Sequence, residues 1–269
     1  MSARIILLTN TSDVSRALAR SMVLAGCAPC LIVRESSEEH ATYSWPSRVA
    51  RSLFGHARVD RVARLRHSRE LHDMLAWEQA TLKASNLWLK EAAAELMQGT
   101  EWPAGIPVLD TVSVNADHVV DRVRQERPDL LVVFGTGMLH RPLLAIPTRG
   151  AVNSHSSLLP HYRGVRSEFW QCYNDDPRYV GITIHQVDPG VDSGHILFQL
   201  PTRSTWPSDP YRLRAVNTLA TLTHYPRTIL DFLAGRITPV PQGPTEMKTN
   251  LKRDMTLELR IALKERIAG

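Results

Sequence analysis

The stretch Ile5-Ile6-Leu7-Leu8, Thr9-Asn10-Thr11-Ser12, Asp13 to Leu24, Gly26 and then Cys30-Leu31-Ile32-Val33 decides the fold. Ile5 to Leu8 is a short wholly apolar run, the mark of a strand buried on both faces. From Asp13 onward Val14, Leu18, Met22 and Val23 fall at helical spacing, and Gly26 supplies the residue type that ends a helix. A second apolar run at Cys30 to Val33 makes the order strand, turn, helix, strand. That order opens a parallel α/β sheet flanked by helices.

Moving outward, the rhythm breaks between Glu35 and about Gly105, where no strand candidate occurs. Leu71 to Met97 is instead rich in Ala, Leu, Glu and Lys, so residues 35–105 read as a helical insertion. The sheet resumes at Ile106-Pro107-Val108-Leu109, passes through a helix at Asp117 to Glu126, and reaches a strand at Leu130 to Phe134. A strand into Asn153, a helix at Ser167 to Tyr173, strands at Gly181 to Val187 and His195 to Leu200, and a helix at Asp209 to Leu233 follow. The sequence thus predicts one domain over residues 1–240. A tail, 241–269, continues an extended stretch holding Pro239, Pro241 and Pro244 and ends in a helix from Thr256 to Ile267.

With 269 residues and 43% apolar content the chain can bury a substantial core. No apolar run approaches the roughly 20 residues of a membrane span, and no leader cleavage pattern stands at the N-terminus, so a cytoplasmic setting is expected. The net charge of +5 permits an anionic partner without requiring one. Cys27-Ala28-Pro29-Cys30 has dithiol spacing but straddles a helix-to-strand turn, and it reads as two ordinary thiols with no metal site expected. The insertion holds Arg48, Arg51, Arg58, Arg61, Arg64, Arg66 and Arg69, some of them three apart. That pattern suits a solvated amphipathic helix, or a dock for an anionic acceptor, nucleic acid or acidic lipid.

In an open α/β sheet, ligands bind beyond the carboxyl ends of the strands. Three segments end there: Phe134-Gly135-Thr136-Gly137, Asn153-Ser154-His155, and the turn from Asp188 to Gly194. The last two bring an amide, an imidazole and a carboxylate, the groups needed to move an acyl group onto an amine. Arg163 and Arg166 are candidates for clamping a carboxylate or phosphate of the acceptor, and Glu168 for holding its ammonium. Asp188, in Asp-Pro-Gly, has the composition of a turn former.

The pattern Asn153-x-His155, Ser157-Leu158-Leu159-Pro160, Tyr162-Arg163-Gly164, Gly181-x-Thr183 and Asp188-x-Gly190-x-Asp192-x-Gly194 resembles the folate-dependent formyltransferases. That family includes methionyl-tRNA, glycinamide ribonucleotide and amino-sugar formyltransferases. The resemblance covers roughly Ile106 to Ala234 and, more faintly, residues 4–33. It implies a Rossmann-like, mostly parallel twisted sheet, a catalytic domain over 1–240, and 10-formyltetrahydrofolate as formyl donor without a metal.

It further implies Asn153, His155 and Asp192 as the catalytic set. Asn153 and His155 alternate on an extended segment and share a face, so both can reach one developing oxyanion. Asp192 would hold the imidazole and take up the amine proton. His185 has a counterpart in some branches and otherwise packs. By match, Thr136, Gly137, Met138 and Leu139 with Val187, Asp188, Pro189 and Gly190 would meet the pterin.

Two departures narrow the acceptor. Thr9 to Asp13 contains no glycine and makes a poor phosphate cradle, and the tail is too short for the β-barrel of the tRNA enzymes. A small or carrier-linked primary amine is therefore expected, an amino sugar or specialised-metabolite amine first, with a homodimer compatible. The alternatives are a formyltetrahydrofolate hydrolase, or a methionyl-tRNA formyltransferase-like enzyme that uses the arginine-rich insertion on an anionic acceptor. A non-enzymatic nucleic-acid or lipid binder is a third class, which the intact triad argues against.

Overall fold

The computed structural model describes residues 3–36, 69–203 and 206–268. Arg48 to Arg66 lie outside these, and of the seven arginines only Arg69 is among them. The elements in chain order are β1 (Ile5–Asn10), α1 (Asp13–Leu24), β2 (Leu31–Glu35), α2 (Arg69–Ala92), α3 (Ala94–Met97), β3 (Val108–Thr111), α4 (Asp117–Glu126) and β4 (Leu130–Phe134). After them come α5 (Arg141–Leu144), β5 (Ala151–His155), α6 (Ser167–Tyr173), β6 (Gly181–Gln186), β7 (Ile196–Pro201), α7 (Pro210–Leu233) and α8 (Leu257–Ala268).

The seven strands form one sheet in the order β3-β2-β1-β4-β5-β6-β7. The first five are mutually parallel, whereas β6 pairs antiparallel with both β5 and β7. Strand alternation sorts the core into two layers. Ile5 and Leu7 point to the face covered by α1 and α7, with Leu18, Met22, Leu222, Tyr225 and Ile229 packed there. Ile6 and Leu8 point to the opposite face, covered by Val119, Val120 and Val123 of α4 and by Leu143 of α5. The Tyr225 hydroxyl is wholly buried and donates to the carbonyls of Val133 (3.1 Å) and Val152 (2.7 Å), which ties α7 across two neighbouring strands.

Helix α1 occupies the predicted residues, with Ser12 as N-cap accepting from the Ser15 N–H. The helical reading of 71–97 divides at Ala93, whose φ of −115° and ψ of 34° break the helix into α2 and α3. Strand β3 begins at Val108, two residues later than its apolar run. Pro107 has no N–H for the ladder, and only its carbonyl takes part, accepting from Ile32 N–H at 3.0 Å. The tail packs into the fold, for Leu257 of α8 is buried against Leu71, Met74 and Leu75 of α2, and Leu263 joins Phe169, Trp170 and Leu213. Cys27, Cys30 and Cys172 are free thiols, and burial pushes Cys27 up to about 11. Among the described residues no helix is long and apolar enough to cross a membrane.

Candidate active site

The antiparallel register of β5 on β6 sets Asn153 opposite His185 and His155 opposite Thr183. Directly opposed residues share a face, so the Asn153 amide and the His185 ring meet, with Nδ2 and Nε2 3.3 Å apart. Asp192 comes in from the β6–β7 connection between the two imidazoles. Its Oδ2 lies 3.4 Å from His155 Nδ1 and its Oδ1 3.5 Å from His185 Nε2, and the Gly164 N–H donates to Oδ2 at 2.8 Å. Four side chains from three places in the sequence therefore meet at one point.

The connection that carries Asp192 is built to turn sharply. Asp188 Oδ1 accepts from the Gly190 N–H (3.1 Å) and the Ser193 hydroxyl (2.7 Å), an Asx turn that gives Asp188 the structural role its sequence context suggested. Asp192 itself is left-handed, with φ of 48°. Tyr162 (56°) and Arg166 (59°), which bracket the turn facing His155, are left-handed as well. Such backbone costs roughly 1–2 kcal/mol for most residues and persists where surrounding contacts over-determine it.

His155 is held at both nitrogens. Nε2 lies 2.9 Å from the Tyr162 carbonyl and 3.1 Å from Ser167 Oγ, and the Ser167 hydroxyl itself donates to that carbonyl at 2.9 Å. A carbonyl only accepts, so Nε2 carries hydrogen. Nδ1 faces the Asp192 carboxylate, so both ring nitrogens point at acceptors. His185 directs Nδ1–H at the Gln186 carbonyl, 2.8 Å away, and its Nε2 lies beside both Asn153 and Asp192. Burial pulls the Asp192 carboxyl upward, but His155, His185 and the Gly164 N–H outweigh it and hold it down at about 2. The site thus keeps a fixed negative charge between two imidazoles.

Above this cluster opens a cleft of about 300 Å³. One wall is the chain from Gly135 to Leu139, the other Val187, Asp188 and Gly190 to Asp192, with Gly164 and Val165 at one end. Part of the first wall is occupied by its own fastenings. Asn10 donates to the Gly135 carbonyl (2.9 Å), Glu35 accepts from the Gly137 N–H (2.9 Å), and Asn115 donates to the Met138 carbonyl (2.8 Å) while accepting from the His140 N–H (2.7 Å). The N–H groups of Met138 and Leu139 have no hydrogen-bond partner among the described residues. Beside them Val133, Leu139 and Val187 supply apolar surface. Open backbone donors next to apolar side chains suit a flat heterocycle with acceptors on its edge.

Of the residues expected at the pterin, Thr136, Gly137, Met138, Leu139, Val187, Asp188 and Gly190 line the cleft and Pro189 does not. Arg163, Arg166 and Glu168 also lie off its lining. The Arg163 guanidinium is turned onto Gln242, with Nη2 2.6 Å from Oε1. Arg166 is exposed, and Glu168 is buried at the start of α6. Sequence reasoning left His185 open and overlooked Ser167, the Gly164 N–H and Gln242. His185 is visible only once the β5–β6 register is known, and the others carry no local signal.

A family model described as formyl transferase matches residues 80–209, a span that includes Asn153, His155, His185 and Asp192. Methionyl-tRNA formyltransferase of Geobacter metallireducens is 45% identical over 94 residues, 35% of this chain and 30% of that protein. The enzyme of the same name from Acidithiobacillus ferrooxidans is 37% identical over 144 residues, 52% of this chain and 45% of that protein. The chain therefore spans less than half the length of these curated relatives. A sugar N-formyltransferase from Shewanella sp. shares the fold at 13% identity, with a TM-score of 0.56 over 97% of this chain and 86% of that one. The Asn-His-Asp cluster thus lies inside the span that is similar to the formyl transferases, and the chain shares the fold of that sugar enzyme.

Proposed function

We propose that the protein is an N-formyltransferase that moves a formyl group from 10-formyltetrahydrofolate to a primary amine of a small or carrier-linked metabolite, in the cytoplasm and without a metal. The observation that carries this is the meeting of Asn153, His155 and Asp192 at the floor of a cleft whose wall leaves backbone donors open. When the amine nitrogen attacks the formyl carbon, charge grows on oxygen. The Asn153 amide N–H supplies a donor fixed in place before that charge appears, and an imidazole N–H of His155 joins it by exchanging its protein acceptor for the developing oxyanion. Asp192, held ionised, accepts the proton the amine must lose and returns it to the donor nitrogen as the bond from formyl carbon to that nitrogen breaks, a contribution of about 100- to 10,000-fold for a well-placed base. His185 steadies both Asn153 and Asp192.

An amino sugar is the acceptor we favour, with Arg166 and Glu168 kept as acceptor-side candidates. The loop after β1 speaks against a ribonucleotide phosphate at that place. Its Asn10 carboxamide is used up on the Ser12 N–H, the Ser15 hydroxyl and the Gly135 carbonyl, and its Ser12 hydroxyl on Ser15. A second reading, methionyl-tRNA as acceptor, draws on the names of the curated relatives.

Incubation with 10-formyltetrahydrofolate and a panel of amino-sugar nucleotides, methionyl-tRNA and simple amines tests the reading, with formylated product followed by mass. Product with an amino sugar that Asn153→Ala abolishes is the expected outcome. Formate release at equal rate with and without amine would show a hydrolase, and no turnover with any acceptor would sink both readings.

A further inference from the structure

Asp192 is a left-handed residue in a half-buried connection, and a position of that kind is kept by the contacts around it. The Gln242 side chain lies at that place. Its Oε1 accepts from Arg163 Nε (3.2 Å) and Nη2 (2.6 Å), and its Nε2 donates to the carbonyls of Asp192 (2.9 Å) and Gly194 (2.7 Å). A primary amide has two acceptor lone pairs and two N–H donors, and here all four are used.

The bonds close a ring. Arg163 precedes Gly164, whose N–H holds the Asp192 carboxylate, while Gln242 joins Arg163 to the Asp192 main chain. The segment bearing Gln242 is secured on both sides. Val240 and Ile196 exchange N–H···O bonds of 2.8 and 2.9 Å. Asn250 donates to the Arg163 carbonyl and accepts from the Val165 N–H, both at 2.9 Å. The strand-like contact at Asn250 is flush, for a Cβ on Gly164, whose φ is 93°, would lie 2.0 Å from the Asn250 carbonyl oxygen.

We propose that Gln242 is a positioning residue for Asp192, and that the extended segment 239–250 forms part of the active-site frame. The proposal rests on the formyl-transfer reading for its kinetic consequence and on geometry alone for its structural one. Only a carboxamide serves both sides of the tie. A carboxylate would keep the acceptor toward Arg163 but would set an oxygen against two carbonyl oxygens, and an ammonium could not accept from Arg163.

Gln242→Glu therefore separates the two halves of the tie, and Gln242→Met, of similar size, removes both. In each variant the backbone amides of residues 190–194 should exchange hydrogen faster than in the wild type, measured by mass spectrometry on the folded protein without substrate. With 10-formyltetrahydrofolate and whichever amine of the panel above is formylated, kcat should fall about 10- to 100-fold while KM for the donor changes less than about threefold, as for a displaced catalytic group. The acid limb of kcat/KM should also move to higher pH, because a displaced Asp192 loses the partners that hold its carboxyl low.

Wild-type kcat in both variants, or a lower kcat with exchange at 190–194 unchanged, would overturn the assignment. A chain that formylates no amine refutes the functional reading. Gln242 is then judged on exchange alone, where unchanged rates overturn it and faster rates uphold it.

Discussion

The cleft wall from Gly135 to His140 is fastened by side chains rising from the sheet beneath it, whereas the wall from Asp188 to Gly194 is fastened by segments that arrive from far along the chain. Asn10 and Glu35 are the last residues of β1 and β2, and Asn115 follows β3, so the first wall inherits the rigidity of parallel strands buried on both faces. The second wall caps the antiparallel edge of the sheet. It depends on Gln242 and Gly164, 50 and 28 residues from Asp192. The first wall is neutral backbone with two N–H groups unpartnered among the described residues, and the second carries the ionised group. Shape and charge are thus assigned to different walls, each held by the means it can reach.

The sharpest way to break this contrast is to remove the charge and keep the fold. Asn tolerates the left-handed conformation at least as well as Asp. Asp192→Asn should therefore stay folded while formyl transfer falls about 100- to 10,000-fold, the range lost with a positioned base. Steady-state kinetics beside a thermal melt would check it, and a variant within tenfold of wild type would move the proton-accepting role elsewhere.

The same charge ties stability to acid. The folded Asp192 carboxyl is held at about 2, below its ordinary value of 3.8, so the unfolded chain binds the proton more readily. Its contribution is complete above pH 4 and is lost as pH falls through 2. With burial and coupling considered this amounts to about 2 kcal/mol. Urea melts between pH 5 and 2 should show wild type losing that increment relative to Asp192→Asn. Parallel curves would mean that the two histidines do not hold the carboxyl low.

The two walls also differ in how far they can be read from sequence. Helix α1 and strands β1 and β4 are legible because apolar period and capping act within a few residues. The Asn-His-Asp set that we propose as catalytic is legible because its spacing matches a known pattern. His185 needs a strand register to be placed, and Gln242 is bonded to Arg163, 79 residues away, which no local period reports. Arg163 shows the converse. A guanidinium beside such a turn suggests a substrate clamp, and no local signal tells that a side chain from the tail, Gln242, engages it.

The first wall offers a smaller effect of a different kind. Glu35 Oε1 accepts from the Val114 N–H at 3.0 Å and its Oε2 from the Gly137 N–H at 2.9 Å. Gln in its place brings an NH₂ group that must face one of those two donors whichever way the amide is turned. One bond is lost, and Glu35 is only half-buried, so about 1 kcal/mol is at stake. Calorimetry with 5-formyltetrahydrofolate, a donor analogue, should then show binding weakened roughly fivefold in Glu35→Gln. kcat at saturating donor should stay within about twofold, since the wall shapes the pocket without touching the reacting atoms. If kcat falls and binding holds, the first wall also sets the chemistry, and the division of shape from charge between the two walls fails.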